Sequence, residues 1–269
     1  MTSTISPQHL TESRIQLHYA IQYIAATGAA LATPKPDGSQ ASLSWQPDLN
    51  LFVGDLIPAP HPFRVALDPI ALSVLILDDQ GMAIAQCPLH QKTLMQGLEW
   101  LKTEVAKRGA EAEKIQFLSY PPNDFPVHDL AQGMPFDPRD VASRHQLINA
   151  YAQTDVILRS LDYKLPVLIW PHHFDIAMLI QLNDTQSIGV GFSPGDTSYD
   201  EPYWYVSPYP YPDPSQLPAI ESTGFWHTSH WVGGVLLASA LSSDREAAMM
   251  QIQQFITATI QASEGLLSP

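Results

Sequence analysis

Apolar residues recur at helical spacing in four stretches of the chain. Leu17, Ile21, Ile24 and Leu31 form a stripe that predicts a helix over Glu12–Leu31, with Thr11 as N-cap and Pro34 as its stop. His18 lies beside that stripe and reads as a core or boundary histidine. Leu94, Leu98, Leu101 and Val105 predict a second helix ending at Arg108. Thr93 and Gln96 supply a capping box, and Gly109 stops it. A third helix follows Asp137 as N-cap and Pro138 as first residue, with Leu147, Ala150, Tyr151, Thr154, Ile157, Leu158 and Leu161 on its face. The fourth starts at a Ser243/Glu246 capping box and carries Ala248, Ile252, Phe255, Ile256, Thr259 and Ile260.

Between the helices the pattern changes to strands. Ala41–Trp45 reads as a short strand, Leu56–Pro62 as a loop, and Arg64–Leu77 as a strand pair or one bent strand interrupted by Pro69. Asp78-Asp79-Gln80-Gly81 is a hairpin turn that returns the chain as Met82–Cys87. Ile115–Tyr120 and Trp231–Ala240 are further strand candidates. Pro121–Pro138 is proline-rich and aperiodic, and reads as a linker between halves 1–120 and 139–269. Each half runs helix, strands, hairpin, helix. The expectation is an α+β protein: antiparallel sheets with helices on one face, in two pseudo-repeated halves that form one integrated unit.

One hairpin specifies its own register. Phe174, Ile176, Met178, Ile180 and Leu182 alternate with polar or small residues, as do Ile188, Val190 and Phe192 on the return. A three-residue loop, Asn183-Asp184-Thr185, pairs Ile180 with Ile188, Met178 with Val190 and Ile176 with Phe192. A two-residue loop would set apolar against polar positions across the whole face. A left-handed Asn or Asp is expected in that loop. The opposite face then pairs Leu179 with Gly189 and Ala177 with Gly191, so it is low, and something must approach it closely: a helix, another backbone or a ligand.

The candidate chemistry gathers around this hairpin. His172, His173 and Asp175 precede or begin it, Asp196 follows the turn after it, and His227 and His230 lie downstream. As a set these six are the nitrogen and oxygen donors that a divalent metal takes, although neither H-E-x-x-H nor paired C-x-x-C is present. A metal-free reading has Asp175 or Asp196 working with His173 in acid–base catalysis on a small-molecule ligand. A structural reading has Asp175 hold the Ser193–Asp196 turn by accepting its amides. The Tyr203-Trp204-Tyr205 run and the Tyr209–Tyr211 segment that follows it offer a ligand-stacking surface, a sheet cover or a homodimer interface. The prolines there favour an extended chain. A non-catalytic interaction or dimerisation module is therefore the alternative function.

Composition removes several classes. The 269 residues carry 13 basic and 27 acidic side chains, a net −14, with no basic cluster, so nucleic acid and anionic membrane are not expected partners. The single cysteine, Cys87, excludes an intrachain disulfide, fits a reducing compartment and reads as a small buried residue. The N-terminal MTSTISPQHLTESR lacks the pattern of a secretory leader, and no apolar run approaches the ~18 residues of a membrane span, so a cytoplasmic location is expected. Without a G-x-G-x-x-G, a Walker loop or a G-x-S-x-G elbow, no nucleotide cofactor is expected.

Five segments carry a resemblance: LHYAIQ at 17–22, PLHQKTLMQGLEWLK at 88–102, WPHHFDIA at 170–177, GFSPGD at 191–196 and EPYWYVSPYPYP at 201–212. In this order they resemble a family of uncharacterised bacterial proteins, a domain of unknown function with F-W-x-x-F-D-[LI]-A, G-F-x-P-G and Y-x-Y-x-Y-P-x-P motifs. The resemblance spans about Ile15 to Pro214. It implies one integrated fold and brings no activity with it; at His172 and His173 it implies variation.

Overall fold

The computed structural model describes residues 7–121 and 124–268. The first six residues of the N-terminal segment read for a secretory leader, and two residues of the proline-rich stretch, therefore lie outside the described residues. The chain divides into two compact units, Met1–Asn149 with Leu168–Phe174, and Ala150–Val167 with Asp175–Pro269. The proline-rich stretch 121–138 belongs to the first unit. Among the described residues no helix is long and apolar enough to cross a membrane.

The first unit opens with α1 (Pro7–Ala20) and α2 (Gln22–Leu31), joined at Ile21, which keeps helical dihedrals. The helix starts earlier than its stripe implied, and Thr11 lies inside it rather than capping it. Residues 16–28 are all buried, so this is a core helix rather than a surface amphipath. The sheet of this unit runs β6 (Leu168–Trp170), β1 (Leu43–Gln46), β2 (Leu51–Gly54), β3 (Phe63–Asp68), β4 (Ser73–Asp78), β5 (Ala83–Pro88). Each described pairing is antiparallel. The pattern missed β2, whose four residues are all buried and so show no alternation. The 78–81 turn forms as expected: Asp78 Oδ1 accepts from the Gln80 and Met82 amides, and Gly81 takes φ 84°.

Helix α3 (Leu94–Lys107) carries the predicted capping box. Thr93 Oγ1 accepts from Gln96 N at 3.2 Å, and Gln96 Oε1 from Thr93 N at 2.9 Å. It packs on α2 where Gly97 leaves room for Tyr23, whose hydroxyl donates to Leu94 O at 2.9 Å. Gly54 makes the matching allowance for Ile24, so α2 lies on the face of β2 that also carries Phe52. The opposite face is apolar too: Leu51, Val53, Ala66, Leu75 and Leu77 form a buried cluster. Ile115–Tyr120, expected as a strand, has no strand partner. Tyr120 is instead tethered by its side chain, its hydroxyl donating to Gln22 Oε1 at 2.7 Å.

Helix α4 (Val141–Ser160) starts one turn later than its proline suggested, because Asp140 rather than Asp137 caps it, accepting from Ser143 N at 3.0 Å. Arg144, in its first turn, is only 1% exposed. Its guanidinium donates to Ile70 O (3.2 and 2.9 Å), Pro138 O (2.5 Å) and Asp140 O (3.2 Å). One cation thereby serves three carbonyls, of which Asp140 O also accepts the Arg144 amide at 3.5 Å.

The second unit has a sheet in the order β10 (Phe225–His227), β11 (Gly233–Leu237), β9 (Tyr203–Tyr209), β8 (Ser187–Ser193), β7 (Asp175–Gln181). The predicted β7–β8 register is realised at each pair: Ile176 with Phe192, Met178 with Val190, Ile180 with Ile188. Leu182 N donates to Gln186 O at 2.9 Å, leaving the three-residue loop Asn183-Asp184-Thr185. None of the three has a positive φ; Asn183 Oδ1 accepting from Thr185 N at 3.0 Å turns the chain instead. Helix α5 (Arg245–Leu267) begins after Asp244, which accepts from Ala247 N, and not at a Ser243 box. It lies against β9, β11 and β8, with Thr259 over Gly234. The second half of α4 covers the same face, where Thr154 Oγ1 accepts from Trp204 Nε1 at 2.9 Å and Tyr151 meets Phe192 edge-on.

Replacing Arg144 with Leu keeps the volume and removes every donor. Urea unfolding should show a loss of about 3 kcal/mol or more, as expected when buried carbonyls lose a charged donor. A variant as stable as wild type would show that these carbonyls are satisfied by other means.

Candidate functional site

The predicted site residues fall into both units. His172 and His173 occupy a turn of the first unit, closed by Phe174 N donating to Trp170 O at 2.8 Å. Phe174 takes φ 56° there. The two imidazoles lie tilted at 50° with centroids 4.3 Å apart, His172 half-buried and His173 exposed. Beside them His18 is buried between Phe125 and Phe174, and its Nε2 donates to Pro171 O at 2.9 Å. Gln22 donates to the same carbonyl at 2.9 Å. Burial lowers the His18 pKa to about 3, helped by the nearby His173, Arg14 and His172 charges and opposed by the Pro171 bond. His18 is therefore the satisfied core histidine that its place beside the stripe implied.

In the second unit the two acids meet two tyrosines of β9. Tyr205 donates its hydroxyl to Asp175 Oδ2, and Tyr203 donates to Asp196 Oδ2 at 2.6 Å. The tyrosines are two residues apart on one strand, so their rings share a face, with centroids 6.3 Å apart. Burial pushes both phenol pKa values upward, and the adjacent carboxylates push further in the same direction. Asp196 also organises backbone: Oδ1 accepts from Ser198 N at 2.7 Å and Tyr199 N at 3.3 Å, closing the loop before β9. Within the 193–196 turn Ser193 Oγ accepts from Gly195 N at 3.2 Å.

The low glycine face is filled by the same tyrosine. Gly191 pairs with Tyr205 across β8 and β9. A Cβ on Gly191 would lie 2.5 Å from Ile176 O, 2.8 Å from Ala177 Cβ and 2.9 Å from the Tyr205 hydroxyl oxygen. What approaches the glycines is a cross-strand phenol reaching Asp175 on the far strand, an option that the residue pattern alone does not suggest.

His227, at the end of β10, has both ring nitrogens engaged. Nε2 donates to Ser229 O at 2.6 Å, so Nδ1 accepts the Tyr199 hydroxyl at 2.7 Å. Its ring stacks on Trp231 at 4.3 Å, and Trp231 covers Gly233. His230 is exposed, with φ 69°. Among the described residues no group of three or more His, Cys, Asp or Glu side chains is placed to hold a metal ion.

A cleft in the first unit has no counterpart among the sites expected from sequence. It has a volume of about 690 Å³ and is bordered by Glu12 and Gln16 of α1, His90 and Gln91 after β5, His128, and the segment Met134–Asp137 with Arg139. Gln91 N donates to Phe136 O at 3.1 Å and Phe136 N to Lys92 O at 2.9 Å, which fixes the wall. Glu12 Oε1 accepts from Gln16 at 2.7 Å, and Gln16 Oε1 in turn accepts from Asp137 N at 3.2 Å. Arg139 holds Asp137 through both carboxylate oxygens, at 2.8 Å each from Nε, which lowers that carboxyl to about 2. His128 lies in the proline-rich stretch that reads as a linker, and no sequence pattern ties it to the other wall residues. The partners come from three distant segments.

Comparison with protein-family models, with curated proteins and with solved structures returned no match.

Two outcomes follow from the geometry. His18 is depressed in the folded state, so the unfolded chain binds its proton first. Its contribution to stability is complete above pH ~6.5 and is lost as pH falls toward 3, with a slope of up to ~1.4 kcal/mol per pH unit. Urea titrations from pH 7 to 3.5 should show a shallower slope for His18→Gln; parallel curves would place the acid sensitivity elsewhere. Tyr205→Phe should cost about 1–3 kcal/mol in the same assay, because Asp175 loses its phenol donor.

Proposed function

We propose that the protein binds a small polar molecule in the first-unit cleft, and that the Asp175/Asp196 cluster is a structural element of the second unit. The cleft carries this reading. Its volume, about 690 Å³, lies within the range of small-molecule sites, and it combines an apolar wall (Met134, Pro135, Phe136) with converging polar groups (Glu12, Gln16, His90, His128). Support for the second part comes from the carboxylates themselves. Each accepts a tyrosine hydroxyl, and Asp196 also accepts two backbone amides. Both Asp196 oxygens are thereby engaged, whereas a general base needs an oxygen that can reach a substrate proton.

A second reading is favoured by one observation. Tyr209 and Tyr211 are 60% and 51% exposed and lie edge-to-face, with centroids 6.2 Å apart, at the end of β9. Exposed aromatics of this kind are enriched at protein interfaces, and a second copy of the chain is the partner proposed.

A metabolite screen read by amide NMR should place shifts at Gln91, Phe136 and Asp137, and Met134→Trp, which fills the cleft, should abolish them. Shifts confined to other residues would overturn the reading. A Tyr209→Ser/Tyr211→Ser variant that turns a dimer into a monomer in light scattering would establish the second one.

A further inference from the structure

The charges around the cleft point to the class of ligand, and this inference rests on the cleft being the binding site. Of its two carboxylates, Asp137 is already neutralised by the bidentate Arg139. Glu12 is not. Its partners are the Gln16 amide at 2.7 Å and His128 Nε2 at 3.3 Å, and its side chain is 58% exposed. His128 Nδ1 accepts from the Leu130 amide at 3.3 Å, so the ring hydrogen on Nε2 is the one offered to Glu12. That contact is a hydrogen bond from an uncharged ring, and it leaves the charge of Glu12 standing. Counting Glu12, Asp137 and Arg139, the cleft is a net single negative charge beside an apolar wall, in a chain of net −14. Long-range and local fields therefore both attract a cation.

We propose that this cleft takes a small organic cation, a primary amine or guanidinium compound with a short aliphatic stem. Its charged head pairs with Glu12, and its stem lies along Met134 and Pro135. Arg139 acts as a screen: by occupying Asp137 it leaves one carboxylate for the ligand and sets the cleft's preference for a single positive head.

The experiment titrates the full chain with butylamine and with butylguanidine, using butyrate as the anionic control of similar length, by calorimetry and amide NMR. Expected is saturable binding of the cations with shifts at Gln91, Phe136 and Asp137. Glu12→Gln, at an exposed position, should weaken it at least tenfold. Arg139→Gln frees Asp137 and should leave cation binding unchanged or tighter. Butyrate binding that Arg139→Gln abolishes would overturn the cationic class and leave the cleft as the site. So would cleft shifts from uncharged compounds alone. The absence of cleft shifts with every compound would overturn both readings.

Discussion

The second unit depends on one cross-strand contact, the Tyr205 hydroxyl on the Asp175 carboxylate. A carboxylate at 8% exposure is costly unless it is hydrogen-bonded. The donor comes from two strands away, and it can reach only because Gly191, between them, has no side chain. Three sequence features that look unrelated, an acid at a strand start, a glycine and a tyrosine, thus form one constraint on the order and register of β7, β8 and β9. Slipping any strand by one residue would turn the tyrosine or the acid to the opposite face.

Tyr203 repeats the device one pleat along with Asp196, whose remaining oxygen gathers two amides of the loop that delivers β9. Two phenols and two carboxylates in one small region resemble a catalytic cluster in composition. Their hydrogen bonds give the opposite impression, since each phenol is committed to a carboxylate oxygen and both oxygens of Asp196 are engaged. A perturbed phenol pKa here follows from burial beside carboxylates, which structural networks produce as readily as active sites do.

The first unit solves its buried polar problems in a comparable way, with single side chains serving several backbone groups. Arg144 satisfies three carbonyls, and His18 and Gln22 share Pro171 O. Against that background of mutual satisfaction, Glu12 stands out as an exposed carboxylate whose partners are uncharged, on the rim of a concave wall.

Local features of the chain determined a good part of this. The β7–β8 register was legible because one apolar face alternates for seven residues, and a wrong loop length would have exposed all of it. The α3 capping box was legible because Thr93 and Gln96 need only their own helix turn. Where a signal had two local candidates the choice depended on packing: Asp140 over Asp137 and Asp244 over Ser243 as caps, and no strand at 115–120, whose Tyr120 is bound by Gln22. The strand β2 was invisible because burial on both faces erases the period of two. The partner of Asp175 and the walls of the cleft were decided only by tertiary structure. Tyr205 lies 30 residues from Asp175, and Glu12 lies 116 from His128. No spacing rule links residues that meet only because a sheet has been ordered and a helix laid against a loop.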